Sequence, residues 1–149
     1  MALLALSEWN AFTQDRVIYY SETQSTNSDA FTAAENNAPT GTWVIADHQI
    51  SGKGRLGRKW VSLKGNLHAS LLLRDVKQPT KIPQLSIVTG VALHQALTEV
   101  SSNRVPSRFE LKWPNDILLN RCKLGGILIE STLTNNNHTA LVVIGIGVN

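Results

Sequence analysis

The segment Gly52-Lys53-Gly54-Arg55-Leu56-Gly57-Arg58-Lys59-Trp60 constrains the fold of this chain more than any other stretch. Three glycines alternate with four cations, and an indole closes the run. Glycine lets a backbone approach a ligand closely and adopt positive φ. Arginine and lysine add fixed charge and donors that suit phosphate or carboxylate. A hydrophobic core gains nothing from such a segment, so it must be a loop, and one suited to clamping a small polyanion. Strand-like sequence flanks it. Thr42 to Gln49 enters the loop, and Asn66 to Arg74 leaves it with Leu67, Ala69, Leu71 and Leu73 on one face.

The positive charge is local. Between Asp47 and Asp75 there is no acidic residue, while Lys53, Arg55, Arg58, Lys59, Lys64 and Arg74 supply six cations. The whole chain carries only +3, so the rest of it is net negative. A basic protein raises the question of nucleic acid. One basic loop with few aromatics fits a small anionic ligand at least as well, and the stacking platforms of an RNA-binding surface are lacking. A content of 42% hydrophobic and 17% charged residues is that of a soluble globular domain. The longest apolar run, Leu141 to Val148, is far short of a membrane span. The single cysteine, Cys122, allows no internal disulfide, and the four histidines show no metal-ligand spacing. Together these features point to the cytoplasm.

The remaining segments mix helix and strand without strict alternation. Residues 2–13 carry apolar side chains at helical spacing, and Arg16 to Tyr20 reads as a strand. Ser25-Thr26-Asn27 offers N-cap side chains to a helix running to about Asn36. Residues 82–101 are apolar nearly all round, which predicts a long, centrally packed helix ended by Ser101-Ser102-Asn103. Phe109 to Trp113, Asp116 to Leu119, Lys123 to Glu130 and Thr139 to Val148 read as strands, with Asn120-Arg121 and Asn135-Asn136-Asn137 as turns. The class is therefore α+β, with a mixed, largely antiparallel sheet packed on helices.

Three further clusters could carry chemistry beside the basic loop. In Lys112-Trp113-Pro114-Asn115-Asp116, proline presents Asn115 and Asp116 at a break between strands, and Asp116 could hold Mg²⁺ with water and phosphate. In Lys123-Leu124-Gly125-Gly126, a lysine opens an apolar strand whose glycines permit close approach of a ligand. Ser25-Thr26-Asn27 would offer hydroxyls and a helix N-terminus to a polar ligand. Each has a bland reading: a solvated loop, an ordinary turn, a charged strand end, a helix cap. The basic loop is neither a P-loop nor a dinucleotide fingerprint. Taken together, the clusters suit carboxylate activation by ATP. That chemistry needs positioning and cationic stabilisation at the α-phosphate, and no side-chain nucleophile.

Ser25-Thr26-Asn27, Ala46-Asp47-His48-Gln49, the basic loop, Asn66-Leu67, Lys112 to Asp116, Lys123 to Glu130 and Gly145-Ile146-Gly147-Val148-Asn149 follow one another in an order and spacing that resemble the catalytic domain of biotin–protein ligases. The resemblance runs from about Val17 to Asn149. It implies the fold shared by class II aminoacyl-tRNA synthetases and biotin ligases. It also implies ATP-dependent formation of biotinyl-5′-AMP, then transfer of biotin to a lysine of a biotin carboxyl carrier protein. Biotin and ATP would be substrates, with Mg²⁺ as the ion. Ser25, Thr26 and Gln49 would take the ureido end of biotin, with Asn27 nearby. Lys53, Gly54 and Arg55 would lie in a loop that orders over biotin and its adenylate. Arg58 would neutralise phosphate and Trp60 would wall the adenine side. Asn115 and Asp116 would lie at the nucleotide and metal side, and Lys123 would bridge the biotin carboxylate and the α-phosphate.

Such loops often read Gly-Arg-Gly-Arg. Lys53 keeps the charge and loses the planar fork. About fifteen residues precede the first strand, too few for a DNA-binding helix-turn-helix, so no DNA partner and no membrane are expected. The chain reads as one catalytic domain over 1–149 that is incomplete at its C-terminal end, and a homodimer through exposed strand edges stays open. The rival readings are a catalytically impaired remnant that binds biotin or nucleotide, a lipoate–protein ligase relative and an RNA-binding module.

Overall fold

The computed structural model describes residues 16–101, 108–134 and 138–149. Seven strands form one sheet in the order β1-β2-β3-β7-β6-β5-β4. They are β1 (Val17–Tyr20), β2 (Trp43–Ala46), β3 (Leu67–Val76), β4 (Phe109–Lys112), β5 (Asp116–Leu119), β6 (Cys122–Leu133) and β7 (Ala140–Val148). Only the β1–β2 pairing is parallel; the other five are antiparallel. The two helices among the described residues are α1 (Thr26–Glu35) and α2 (Leu85–Ser101). This is the expected α+β class with a mixed, largely antiparallel sheet. The expected helix over 2–13, the helix end at Ser102-Asn103 and the turn at 135–137 lie outside the described residues.

The strands alternate faces because successive Cβ atoms point to opposite sides of a pleated sheet. Val142 and Val143 are neighbours in β7 and both fully buried, yet they serve different cores. Val143 packs with Leu72, Val44, Ala30 and Ala34 beneath α1. Val142 packs with Ile82, Ile127, Ala140 and Ile144 on the other face. The central strands are thus buried on both sides, which explains their near-continuous apolar sequence. β3 follows this pattern rather than a one-sided one: His68, Ser70 and Leu72 are buried as well as Ala69.

Turn chemistry closes the meander β4–β7. Asn120 and Arg121 both take positive φ, 49° and 68°, as a two-residue hairpin loop of the twisted type requires. At the end of α1, Asn37 takes φ 62° and its N–H donates to the Ala34 carbonyl at 3.0 Å. Arg74 completes that cap, donating from Nη1 to the carbonyls of Ala34 (2.8 Å) and Ala38 (3.1 Å). Its charge stabilises the negative end of the helix dipole, so this cation of the basic window serves the fold.

Three expectations need correction. The strand entering the basic loop stops at Ala46 instead of Gln49. Beyond it, residue 49 makes only isolated bridges to Thr23 and Ser62. The helix expected from residue 82 begins at Leu85, since Pro79–Gln84 forms a 3₁₀ segment that contains Pro83, and proline has no N–H for a helical ladder. That helix is also peripheral. Gly90 is its one buried residue, seated near Ile127 and Leu111, while Ile87, Val88, Val91 and Val100 are exposed. Apolarity all round leaves the packed face undefined; the side-chain-free Gly90 is where the helix meets the sheet.

His68 is buried and short of partners. Its Nε2 lies 3.3 Å from the Leu63 carbonyl and its Nδ1 has no partner. Burial lowers its pKa from 6.5, against the opposing effect of the Leu63 carbonyl. A histidine with a depressed folded pKa stabilises the fold above its unfolded pKa, and that stability is lost as pH falls from about 6.5 through the folded value. Thermal melts should therefore show a Tm level above neutrality and declining toward pH 5, and His68→Gln should flatten that decline.

Candidate active site

The N-terminus of α1 is capped by a residue far away in sequence. Ser25 occupies the N-cap position in extended conformation, but its side chain makes no capping bond. Gln49 takes over that task. Its Oε1 accepts from the Thr26 N–H at 2.9 Å and from Thr26 Oγ1 at 3.1 Å. Its Nε2 donates to Ser62 Oγ at 2.9 Å, which fixes the orientation of the amide. The capping expected of Ser25 is thus corrected, and its hydroxyl is left to the cavity it lines. Early termination of β2 is what frees Gln49 to turn toward the helix.

The basic loop folds back on itself. Lys53 and Lys59 face each other as an isolated bridge. The Gly54 N–H donates to the Arg58 carbonyl at 2.7 Å, and the Trp60 N–H to the Gly52 carbonyl at 2.8 Å. A 3₁₀ turn at Arg55–Gly57 forms the tip, with Leu56 at φ 57° and Gly57 at φ 70°. Arg55 ties the tip to the far side of the site, donating from Nη1 to Asn115 Oδ1 at 3.1 Å. Asn115 is itself anchored, with Nδ2 donating to the Ile127 carbonyl at 3.0 Å.

Lys123 and Asp116 face each other across the β5–β6 pair, with Nζ 2.8 Å from Oδ1. The same ammonium lies 5.5 Å from the Trp60 ring centroid, within cation–π range. The Trp60 ring lies on the face of the sheet over the paired Gly126 and Gly147 only because glycines receive it. A Cβ at Gly147 would lie 2.6 Å from its Cε2, and one at Gly126 3.3 Å from its Cζ3. Trp60 Nε1 is buried without a partner in the protein.

These elements surround one cavity of about 550 Å³. Every residue named as a candidate lines it: Ser25, Thr26, Asn27 and Gln49 at one end, Lys53, Gly54, Arg55, Arg58 and Trp60 from the loop, and Asn115, Asp116 and Lys123 opposite. Lys59 joins them, whereas Lys64 and Arg74 stand apart from the wall. Among the described residues Asp116 is the one acidic side chain in the lining, set against five cations. Among the described residues no cluster of metal-ligating side chains exists. The cavity sets cations along one side and hydroxyls with an amide at the other, an arrangement whose charge suits an anion at the first and a neutral polar group at the second.

Sequence reasoning assigned no role to Ser62, Ser70, Glu130, Gly145 or Gly147. The two glycines carried a signal, since glycine inside an apolar strand marks close approach of another group. A Cβ at Gly145 would fall 2.4 Å from Asn27 Oδ1. Nothing in the sequence marked Ser62 or Ser70, and Glu130 stood only as the end of a matching segment; the partners of all three lie far along the chain.

Comparison with known proteins gives the family and the fold of the chain. Residues 18–149 match the biotin/lipoate A/B protein ligase family. The bifunctional ligase/repressor BirA of Bacillus subtilis (strain 168) is 41% identical over 134 residues, which are 89% of this chain and 40% of that protein. The biotin protein ligase of Aquifex aeolicus, solved in complex with biotin and ATP, is 36% identical with a TM-score of 0.72, over 91% of this chain and 52% of that one. The biotin protein ligase of Leishmania major, solved with biotinyl-5-AMP, is 30% identical with a TM-score of 0.73, over 89% of this chain and 56% of that one. The chain thus spans about half or less of the length of these relatives. Among the described residues no helix is long and apolar enough to cross a membrane. With its sheet order, its cationic loop and the match over all seven strands but the first residue of β1, the chain belongs to the biotin/lipoate A/B protein ligase family.

Proposed function

We propose that this chain forms the catalytic core that activates biotin with ATP and passes it to a lysine of a biotin carboxyl carrier protein in the cytoplasm. The observation that carries this reading is the convergence of the Lys123 ammonium and the Lys53–Arg58 cations on one cavity whose other end is lined by Ser25, Thr26 and Gln49. In the first step a biotin carboxylate oxygen attacks the α-phosphorus of ATP and pyrophosphate leaves. Negative charge develops at the α-phosphoryl group, and fixed cations stabilise it without reorganising. In the second step the acceptor amine attacks the acyl carbon and AMP leaves. Lys123 would bridge the carboxyl and phosphoryl oxygens. Arg55 and Arg58 would neutralise phosphate, and the loop would order over the adenylate and keep water from the mixed anhydride.

Mg²⁺ would enter on the ATP phosphates. One carboxylate with phosphate oxygens and water is an ordinary arrangement for this ion. Asp116 is the lining carboxylate that could join it, once Lys123 turns from it to the substrate.

The test is ATP–pyrophosphate exchange with and without biotin. Biotin-dependent exchange by this chain is expected; biotin binding without exchange would assign it to a binding remnant. Exchange driven by lipoate and not by biotin would move the assignment to the lipoate branch of the family.

A further inference from the structure

Residues 53–59 carry Lys53, Arg55, Arg58 and Lys59 and no acidic side chain. Lys53 and Lys59 stand opposite each other, flanked by the Gly54 N–H to Arg58 carbonyl bond and the Trp60 N–H to Gly52 carbonyl bond. That is the non-hydrogen-bonded kind of antiparallel pair, in which side chains lie closest, and like charges so placed repel. Folding the loop back therefore carries an electrostatic cost, and its tip at Arg55–Gly57 is exposed. Among the described residues, the Arg55–Asn115 bond is the one side-chain hydrogen bond that joins residues 53–59 to the rest of the protein.

Asn115 is fixed from the sheet side. Its backbone carbonyl accepts from the Ile127 N–H at 2.9 Å, and its Nδ2 donates to the Ile127 carbonyl at 3.0 Å. A carbonyl only accepts, so Nδ2 must face Ile127 and Oδ1 is left to the other side. A guanidinium only donates, so Oδ1 is the end that suits Arg55. The β6 backbone thus sets which way the amide points, and the amide holds Arg55. Arg55 lines the main cavity and also a second one, of about 560 Å³, whose wall includes Pro83, Ile87 and Trp113. Asn115 lines only the first of the two. An exposed arginine where two cavities meet has a long flexible stem and two places to go. Holding its Nη1 at Asn115 leaves Nε and Nη2 to meet an oxyanion.

We propose that Asn115 is a positioning residue: it holds the Arg55 guanidinium on the main cavity, and its contribution to adenylation passes through Arg55 rather than through a contact of its own with the nucleotide. The inference rests on the functional reading above, in which Arg55 neutralises phosphate. A cation set in place before the substrate arrives stabilises developing charge without reorganising. Asn115 supplies that order with a neutral oxygen, so the full charge of Arg55 remains for the phosphoryl group.

A double-mutant cycle separates this role from direct contact. Asn115→Ala should lower biotin-dependent ATP–pyrophosphate exchange about tenfold. In an Arg55→Ala background the same change should cost about twofold at most. Losses that multiply overturn the inference, because Asn115 would then act on the nucleotide or on the fold directly. Hydrogen exchange of the empty protein gives a second readout. The amides of Gly54 and Arg58, which are bonded within the loop, should lose protection several-fold in Asn115→Ala. They should keep it in Asn115→Asp, which retains the acceptor for Arg55 and lacks the donor to Ile127. Equal loss in both variants overturns the inference, since the Ile127 bond would then be what holds the loop. Wild-type protein without biotin-dependent exchange overturns the functional reading, while the protection of Gly54 and Arg58 still decides whether Asn115 holds Arg55.

Discussion

Lys123→Ala is expected to lower biotin-dependent ATP–pyrophosphate exchange by about 10²–10³-fold, the range lost when one preorganised donor to developing charge is removed. The geometry sets this expectation. The ammonium stands between Asp116 at 2.8 Å and the face of Trp60 at 5.5 Å, and both neighbours orient it into the cavity. The stability cost should be small. The Lys123 side chain is 48% exposed and Asp116 is 20% exposed, and an ion pair this open to water is worth at most about 1 kcal/mol. Activity and stability should therefore part company, with exchange falling steeply and Tm nearly unchanged. Lys123→Arg should not rescue. The ammonium is a compact point charge that can meet a carboxyl and a phosphoryl oxygen at once, and a planar guanidinium presents its donors in a fixed fork of different geometry. Exchange within tenfold of wild type in Lys123→Ala would show that this amine does not bridge the reacting groups, and the proposed chemistry would need another cation.

How much of this was legible beforehand depended on whether the signal was local. The meander from β4 to β7 announced itself through alternation and through Asn120-Arg121, residues suited to the positive φ that a two-residue hairpin needs. The basic loop was legible because nothing in a core explains alternating glycine and cation. Helix α2 was misread because an apolar sequence states an appetite for burial without saying which face is fed; Gly90 gave the contact and was easily passed over. The capping of α1 was also misread. Ser25 has the right side chain in the right place, but a glutamine 24 residues on reaches the Thr26 N–H instead. The side-chain hydrogen bonds that join Asn27 to Ser70 and Glu130 were beyond reach altogether. Glu130 and Asn27 are 103 residues apart and Ser70 and Asn27 are 43 apart, and only the sheet order β3-β7-β6 brings their carriers together.

Gly147→Ala should be among the most damaging single-methyl additions in the site. Glycine within a strand ordinarily costs about 0.5–1 kcal/mol relative to alanine, so the substitution would stabilise β7 if the space were free. Here the new Cβ would meet Trp60 Cε2 at 2.6 Å, Cζ2 at 2.7 Å and Nε1 at 2.8 Å. A rigid fused ring cannot yield as the end of a flexible side chain can, and overpacking of this kind costs about 1–3 kcal/mol. The clash outweighs the propensity gain, so the ring must leave its seat over Gly126 and Gly147. Trp60 closes the basic loop, with its N–H held by the Gly52 carbonyl at 2.8 Å. Displacing the ring therefore moves the base of the loop and removes the aromatic face beneath Lys123. Exchange activity should fall more than tenfold and Tm should drop by several degrees. Trp60→Phe keeps an aromatic face and lacks Nε1 and the outer ring that carries Cζ2, atoms that the methyl would strike, so the two substitutions should be strongly non-additive. The double variant should melt above Gly147→Ala alone. Additive losses would mean that the indole does not rest on β7, and that the cavity described here has a different floor.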